Sequence, residues 1–116
     1  MRKISATELQ LLGCFGFEPQ LLYADAPWCH NDVLYSLTID GLYISFAISP
    51  GYRDVRLIVR REDQRIFELN ATGVVDVLVI DEKGLDAIEV RLTERAWIRL
   101  QLRPTFELAQ RFECCD

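Results

Sequence analysis

The chain contains 116 residues, half of them hydrophobic and 27% charged, with only six glycines and four prolines. This length and balance fit one globular domain and exclude a two-domain enzyme, a disordered segment and a collagen-like chain. Thirteen basic against 18 acidic residues give a net charge of −5 at pH 7, which repels phosphate backbones and anionic lipid surfaces. We therefore expect a single domain over residues 1–116 that binds neither nucleic acid nor membranes.

The sequence contains no targeting or metal-binding pattern. Its apolar runs are far shorter than the roughly 18 residues that a membrane-spanning helix needs, and the N-terminus lacks the apolar centre of a signal peptide. The four cysteines, Cys14, Cys29, Cys114 and Cys115, have neither the C-x-x-C spacing nor the paired histidines of a zinc site. We expect a cytoplasmic protein with free thiols, no metal and no cofactor.

A short helix is predicted near the N-terminus. Ser5-Ala6-Thr7-Glu8 has the form of a capping box, leucines follow it, and Gly13 stands where a C-cap glycine would. This pattern predicts a helix over residues 6–12. Residues 18–32 have no clear period and contain two prolines and three acidic residues, which is typical of a long loop.

From Val33 onward, apolar residues alternate with polar ones, which is the period of a half-buried strand. Asp40-Gly41 predicts a two-residue hairpin turn, because a type I′ turn needs a positive φ at both central positions. Strands are predicted over residues 33–39, 42–48, 55–60, 66–69, 74–80, 88–92 and 96–103. After Pro104 the spacing fits both strand and helix, so residues 105–113 stay open between the two.

These elements predict a mainly β (α+β) fold. Six to seven strands with tight turns form an antiparallel meander over residues 33–112, curled into a sandwich or an open barrel. One face of the sheet is polar, formed by Arg56, Arg60, Glu89, Arg91, Arg99, Gln101 and Arg103. The other face therefore needs a cover, which we expect to be the N-terminal helix or the curling of the sheet itself.

No catalytic motif is present, since the sequence lacks a Gly-rich phosphate loop, Gly-x-Ser-x-Gly and His-Glu-x-x-His. His30, the single histidine, follows Cys29, but neighbouring side chains of an extended chain point apart. His30 and Asp32 can instead hydrogen-bond the loop to the start of the sheet. Asp76 interrupts the most apolar strand, where it either marks a site or pairs with an arginine across the sheet. We expect no enzyme; the alternative is a small-ligand-binding or enzymatic barrel with His30 and Asp76 at its mouth.

A second alternative is a base-stacking nucleic-acid surface. Trp97, Arg99 and Arg103 alternate along one predicted strand and have the residue types that such a surface needs. Interleaved acids such as Glu89 and Glu94 neutralise this stripe, and the net negative charge disfavours it further.

The loop over residues 18–32 has the composition of a protein-binding segment. It combines aromatic residues with acidic ones, which suits docking on a basic protein partner. The predicted partner-binding residues are Tyr23, Asp25, Trp28, His30 and Asp32. One alternative is that the aromatic side chains plug an end of the barrel, and another is a homodimer that pairs exposed strand edges.

Three patterns link the sequence to a known class: Trp28-x-His30-x-Asp32, the Asp40-Gly41 turn, and Gly73-Val74-Val75-Asp76-Val77. Over about residues 28–112 the chain resembles the small β-rich immunity proteins of bacterial polymorphic toxin systems. In one such group a Trp and a His-Asp pair precede the first strand, whereas Asn31 separates the pair here. The resemblance implies a non-catalytic protein that binds a cognate toxin domain and blocks its active site or substrate path. An acidic inhibitor is steered electrostatically onto a basic toxin.

Overall fold

The computed structural model describes residues 3–113. It contains one α-helix, α1 (Glu8–Phe15), and a single-turn 3-10 helix (Trp28–His30). The strands are β1 Gln20–Leu21, β2 Val33–Ile39, β3 Leu42–Ser49, β4 Asp54–Arg61, β5 Gln64–Ala71, β6 Asp76–Glu82, β7 Leu85–Thr93, β8 Ala96–Arg103 and β9 Glu107–Phe112.

The strands form two antiparallel sheets, the first in the order β1-β2-β3-β4-β5 and the second in the order β6-β7-β8-β9. No described strand belongs to both sheets, so they do not close into a barrel. Inward side chains of both sheets, such as Phe46 and Leu57 from the first and Ile88 and Leu100 from the second, share one hydrophobic core. The predicted antiparallel meander with a sandwich-like core is therefore confirmed, and the barrel mouth of the enzymatic alternative does not exist.

Two strands extend the predicted set of six to seven. The first is β1, a two-residue strand inside the segment that was expected to be a loop. The second is β9, which shows that residues 107–112 are strand rather than helix. Its register with β8 places Leu108 beside Leu100, where Leu108 packs on the core.

Helix α1 begins two residues later and ends three residues later than the sequence predicts. Its N-cap is Thr7, whose Oγ1 accepts from the Gln10 amide at 3.2 Å, while Gln10 Oε1 accepts from the Thr7 amide at 3.0 Å. The predicted cap, Ser5, instead hydrogen-bonds a distant carboxylate. The helix continues through Gly13 and ends at Gly16, which adopts a φ of 78°. The helix tolerates Gly13 because the packing of its buried face outweighs the low helix propensity of one glycine.

The buried face of α1 closes one side of the core, as predicted. The Phe15 ring stacks on Tyr35 at a centroid distance of 5.2 Å and on Phe46 at 5.9 Å. At the C-terminal end of the helix, Arg103 Nη1 donates to the Cys14 carbonyl at 2.7 Å and to Asp86 Oδ2 at 3.0 Å. A cation at this end also complements the helix dipole.

The turns fix how the sheets connect. Asp40 and Gly41 have φ values of 51° and 77°, which confirms the predicted hairpin. Strand β6 begins at Asp76 rather than at residue 74, because the preceding residues link the two sheets. The Arg53 guanidinium donates to the Val75 carbonyl at 2.6 Å, and the Val74 amide donates to the Arg53 carbonyl at 2.9 Å.

Candidate protein-binding surface

Asn31 organises the segment over residues 18–32. Its side chain is buried, and its Nδ2 donates to the carbonyls of Tyr23 at 2.6 Å and Ala26 at 3.1 Å. The Tyr23 amide donates back to Asn31 Oδ1 at 3.0 Å. The sequence assigned this linking role to His30 and Asp32, which is wrong for their side chains: Asp32 contributes only its main-chain carbonyl, which accepts from the Leu22 amide at 3.0 Å.

Three of the predicted partner-binding residues are exposed. Tyr23 and Asp25 lie in the turn between β1 and the 3-10 helix, and the Tyr23 side chain is 57% exposed. His30 lies at the end of the 3-10 helix and is also exposed. Because Asn31 fixes the turn, these side chains project from an ordered backbone rather than from an irregular loop.

Trp28 connects this segment to the core. It is half-buried, and its Nε1 donates to the Tyr35 hydroxyl at 3.1 Å. Burial raises the pKa of Tyr35 to about 12, although the hydrogen bond from Trp28 opposes this shift. Trp28 therefore anchors the segment on the core, which is the role that the alternative of a hydrophobic plug predicts for the aromatic residues. Tyr23 does not have this role, because its side chain is exposed.

A shallow cleft of about 410 Å³ lies on the outer face of the first sheet, next to β1. Its lining comprises Gln20, Leu21, Leu22, Asp32, Val33, Leu34, Ser45, Ala47, Arg56 and Ile58. The strand register explains the depression: the small Ala47 lies between the larger Leu34 on β2 and Arg56 on β4. The floor is therefore apolar, with the Asp32 carboxylate and the Arg56 guanidinium in the walls.

A second cleft of about 330 Å³ continues this depression toward the β3–β4 turn. The two clefts share Asp32, Ala47 and Arg56, so they form one continuous surface, which we call the sheet-1 trough. Tyr52, which is 83% exposed, and Asp54 line its far end. The sequence analysis predicted Asp32 as a site residue but did not predict a depression at the other residues that line the trough. The small outward residues on β3, such as Ala47, could have indicated this depression.

A third cleft of about 510 Å³ lies on the other side of the 3-10 helix. It is lined by Trp28, Cys29 and His30, by the N-terminal segment around Ile4, and by Gly51. Gly51 packs closely here, since an added Cβ would lie 3.0 Å from the Cys29 carbonyl oxygen. Cys29 itself is exposed, whereas Cys14 is buried in the core.

The acidic residues of segment 18–32 form no ion pair with the described part of the chain. The chain has no Lys or Arg between Lys3 and Arg53. The ion pairs of Arg65, Arg91, Arg99, Arg103 and Arg111 all lie outside this segment, with their partners between Glu68 and Glu113. Asp25 is exposed and Asp32 is half-buried, and neither forms an ion pair among the described residues, although Arg56 lines the same cleft as Asp32.

Asp76 serves the fold rather than a cleft. It is 8% exposed, and its carboxylate accepts from the Ser5 amide at 2.7 Å, from Ser5 Oγ at 2.6 Å and from the Val77 amide at 2.8 Å. The register places Arg91 opposite Asp76 on the neighbouring strand. None of the three clefts is lined by Asp76, so the structure gives it no place beside His30 in a ligand site.

Between residues 3 and 113 the structure contains neither a cluster of metal-ligating side chains nor a membrane-spanning helix. No group of three His, Cys, Asp or Glu side chains within this range is arranged to hold a metal ion. No helix in the same range is long and apolar enough to cross a membrane. The predicted Cys114-Cys115 tail lies outside the described residues.

Comparison with known proteins gives one informative match. No protein-family model and no curated protein matches the chain. Its fold is similar to that of one chain of a solved toxin–immunity complex. The solved structure is a contact-dependent growth inhibition toxin–immunity protein complex from Klebsiella pneumoniae 342, with a TM-score of 0.73 and 20% sequence identity over 93% of this chain and 95% of that chain.

This match concerns the fold, because 20% identity does not transfer individual residues or their roles. It covers nearly the whole of both chains, so the similarity extends over the first sheet and the second sheet together. The resemblance to β-rich immunity proteins that the sequence indicated agrees with this structural neighbour.

Proposed function

We propose that this protein is a non-catalytic binding protein of the immunity type, which neutralises a cognate toxin domain by covering its active site or substrate path. The observation that supports this most is the shared fold with a chain of a toxin–immunity complex. In this proposal the protein acts in the cytoplasm, and the toxin domain is its physiological partner.

We assign the binding surface to the segment over residues 20–32 together with the sheet-1 trough. Tyr23 offers an exposed aromatic ring on a backbone that Asn31 holds rigid, which is the kind of pre-organised anchor that dominates many interfaces. Trp28 anchors this segment on the core through its hydrogen bond to the Tyr35 hydroxyl. The apolar floor at Leu34 and Ala47 offers a depression that a partner side chain can fill.

Charge supports a basic partner. Asp25 and Asp32 have no ion-pair partner among the described residues, so their field extends into solvent. A toxin that acts on nucleic acid needs positive charge at its substrate site, and complementary potentials raise association rates at low salt. The same acidic surface would compete with the substrate for that site.

The test starts with affinity capture of the tagged protein from its source cells, followed by expression of the captured domain in an indicator bacterium. We expect the captured domain to arrest growth and co-expression of this chain to restore it. The Asp25→Lys, Asp32→Lys double variant should restore growth poorly. The matched control, Asp63→Lys with Glu82→Lys, makes the same change in net charge at exposed positions outside the segment and should protect normally.

Two outcomes would contradict the proposal. If this chain arrests growth when it is expressed alone, it corresponds to the toxin member of such a complex. If the captured domain arrests growth and this chain neither binds it in purified form nor restores growth, inhibition by occlusion is wrong. Equal protection by both double variants would leave inhibition intact but remove the assigned surface.

A further inference from the structure

Strand β9 forms an open edge of the second sheet. It pairs with β8 on one side, and no described strand pairs with it on the other. Most of its residues are exposed, and it contains neither the proline nor the lysine that commonly keeps an edge strand from pairing with another chain. An extended segment can therefore add to the sheet at β9.

The main-chain hydrogen-bonding groups at this edge belong to Leu108 and Gln110. The Glu113 amide donates to the Arg95 carbonyl at 2.9 Å, so Glu113 turns its main-chain groups toward β8. Because this direction alternates along an antiparallel strand, Leu108 and Gln110 turn theirs away from β8. No described residue forms a hydrogen bond with these outward N–H and C=O groups.

The outer face of β9 is complementary to a second, antiparallel copy of the same strand. When Ala109 lies beside Ala109 of the second copy, each Glu107 lies beside Arg111 of the other copy. The two-fold symmetry makes this pair of opposite charges occur twice. The small alanines at the axis allow the two strands to approach without a steric clash.

The same register also matches the main chain and the inner face. Leu108 of one copy faces Gln110 of the other, so the outward main-chain groups form hydrogen bonds with each other. Phe106, which directly precedes β9 and is half-buried, lies beside Phe112 of the second copy. Phe112 is 59% exposed in the single chain and gains an aromatic neighbour in this arrangement.

The neighbouring symmetric registers lack this match. Centring the pair on Gln110 places Glu107 beside Glu113 of the second copy, which brings two like charges together. Centring it on Leu108 places Glu107 beside Ala109 and leaves Arg111 without an opposing carboxylate. The charges therefore select the register that is centred on Ala109.

The two side chains of the cross-strand pair are available for it. Arg111 is 64% exposed, and its Nε lies 3.4 Å from Glu113 Oε1, which is a long ion pair. Glu107 Oε2 accepts from Gln101 Nε2 at 2.9 Å. No described residue engages the terminal N–H groups of Arg111 or the second carboxylate oxygen of Glu107.

The other described edges do not offer such a self-complementary pattern. Strand β1 has only two residues, and the charged residues of β6, Asp76, Asp81 and Glu82, are all acidic. On β5, Arg65 forms an ion pair with Glu68 of the same strand, so the two charges neutralise each other within one chain.

We propose that two copies of this chain pair through their β9 strands, with the two-fold axis at Ala109, so that their four-stranded sheets join into one continuous sheet. A second copy is the occupant that the charges of the edge favour, because they are complementary to themselves. The edge-paired homodimer, one of the alternatives from the sequence, thereby acquires a defined strand and register. The sheet-1 trough belongs to the other sheet, so this inference goes beyond the proposed inhibition and does not rest on it.

Charge reversal tests the register. Sedimentation equilibrium of the full chain, from micromolar to submillimolar concentration, should show a reversible dimer. Arg111→Glu and Glu107→Arg each create two like-charge pairs by symmetry and should weaken dimerisation at least about tenfold. The double variant restores both pairs of opposite charges and should dimerise within about threefold of the unaltered protein. The matched controls Arg65→Glu and Glu68→Arg on β5 should leave the dimerisation constant unchanged.

A cross-link tests the axis. In a chain whose Cys29, Cys114 and Cys115 are replaced by serine, Ala109→Cys should form a disulfide between two copies in air, because directly opposite residues at a non-hydrogen-bonded position lie close together. Glu68→Cys on the edge of β5 should not. A monomer over the whole concentration range, a dimer that neither reversal weakens, no recovery in the double variant, or no cross-link through Ala109→Cys would overturn the proposal.

Discussion

Asn31 and Tyr23 are joined by a reciprocal pair of hydrogen bonds across eight residues of chain. Asn31 Nδ2 donates to the Tyr23 carbonyl at 2.6 Å and the Tyr23 amide donates to Asn31 Oδ1 at 3.0 Å. One buried amide side chain thus satisfies both main-chain polar groups of the residue that exposes the aromatic ring of the proposed binding surface. The conformation of that surface depends on this contact.

Asn31→Ala should therefore lower both stability and partner binding. The substitution leaves the Tyr23 amide and the carbonyls of Tyr23 and Ala26 without their partner, and we expect the free energy of unfolding to fall by about 2 kcal/mol in urea denaturation. Asn31→Asp has the same shape and keeps the acceptor for the Tyr23 amide but loses both donors. Unchanged stability and unchanged amide exchange at Tyr23 in Asn31→Ala would contradict this role.

The contact between Ser5 and Asp76 makes a second prediction, about the N-terminal segment. Ser5→Ala removes the bond from Ser5 Oγ but keeps the bond from the Ser5 amide, and should cost about 1 kcal/mol. Asp76→Ala removes every acceptor at once and leaves the buried Val77 amide unpaired, so the loss should be several times larger. Urea denaturation of both variants measures the difference. Equal losses would mean that the carboxylate does little beyond holding the Ser5 hydroxyl.

The strands and the hairpin could be predicted from sequence because their signals are local. The alternation after Val33 reports a sheet with one buried face, and Asp40-Gly41 reports a turn that needs two positive φ values. Segment 105–113 stayed ambiguous because only its pairing with β8 decides between strand and helix.

The remaining features depend on contacts between residues far apart in sequence. The helix start was misplaced because Ser5 is engaged by Asp76, 71 residues away, so Thr7 becomes the cap. The hydrogen bonds that hold segment 18–32 were predicted for the side chains of His30 and Asp32 rather than Asn31, because the sequence alone does not show which of these side chains is buried. The sheet-1 trough arises from strand register, which places Ala47 between larger residues.

A third prediction concerns stability in alkali. Burial, reinforced by the negative charges of Asp86 and Asp81, raises the pKa of Cys14 from 9.0 to about 11, and burial raises that of Tyr35 from 10.0 to about 12. At a pH between the pKa of the group in the unfolded chain and its pKa in the folded chain, the unfolded chain has lost a proton that the folded chain still holds. The stability from these neutral groups is therefore complete below pH 9 and falls as the pH rises through the folded values.

We expect each group to contribute a slope of up to about 1.4 kcal/mol per pH unit, over pH 9 to 11 for Cys14 and pH 10 to 12 for Tyr35. Denaturant unfolding at a series of pH values measures these slopes. Cys14→Ala and Tyr35→Phe should each flatten the curve in its own range, whatever they cost at neutral pH. A Cys14→Ala curve parallel to that of the unaltered protein would show that the thiol ionises normally.

A fourth prediction concerns the kinetics of toxin binding. The charge reversals Asp25→Lys and Asp32→Lys should slow association, because they replace negative charge in segment 18–32, which includes Asp32 in the sheet-1 trough, with positive charge. The association rate of the unaltered protein should fall with rising salt, while that of the double variant should fall much less. Stopped-flow or biosensor measurements give these rates. Identical salt dependence in both proteins would remove electrostatic steering from the proposal.

The last prediction uses Cys29 as a reporter of what the partner covers. Cys29 is exposed between Trp28 and His30, whereas Cys14 is buried and has a raised pKa, so a thiol reagent should label Cys29 first. The two C-terminal cysteines are replaced by serine so that one reactive thiol remains. If the toxin domain covers the 3-10 helix together with the Tyr23 turn, its addition should slow labelling at least tenfold. The remaining labelling rate should be proportional to the fraction of unbound protein. Labelling at an unchanged rate in a saturated complex would place the interface elsewhere and exclude His30 from it.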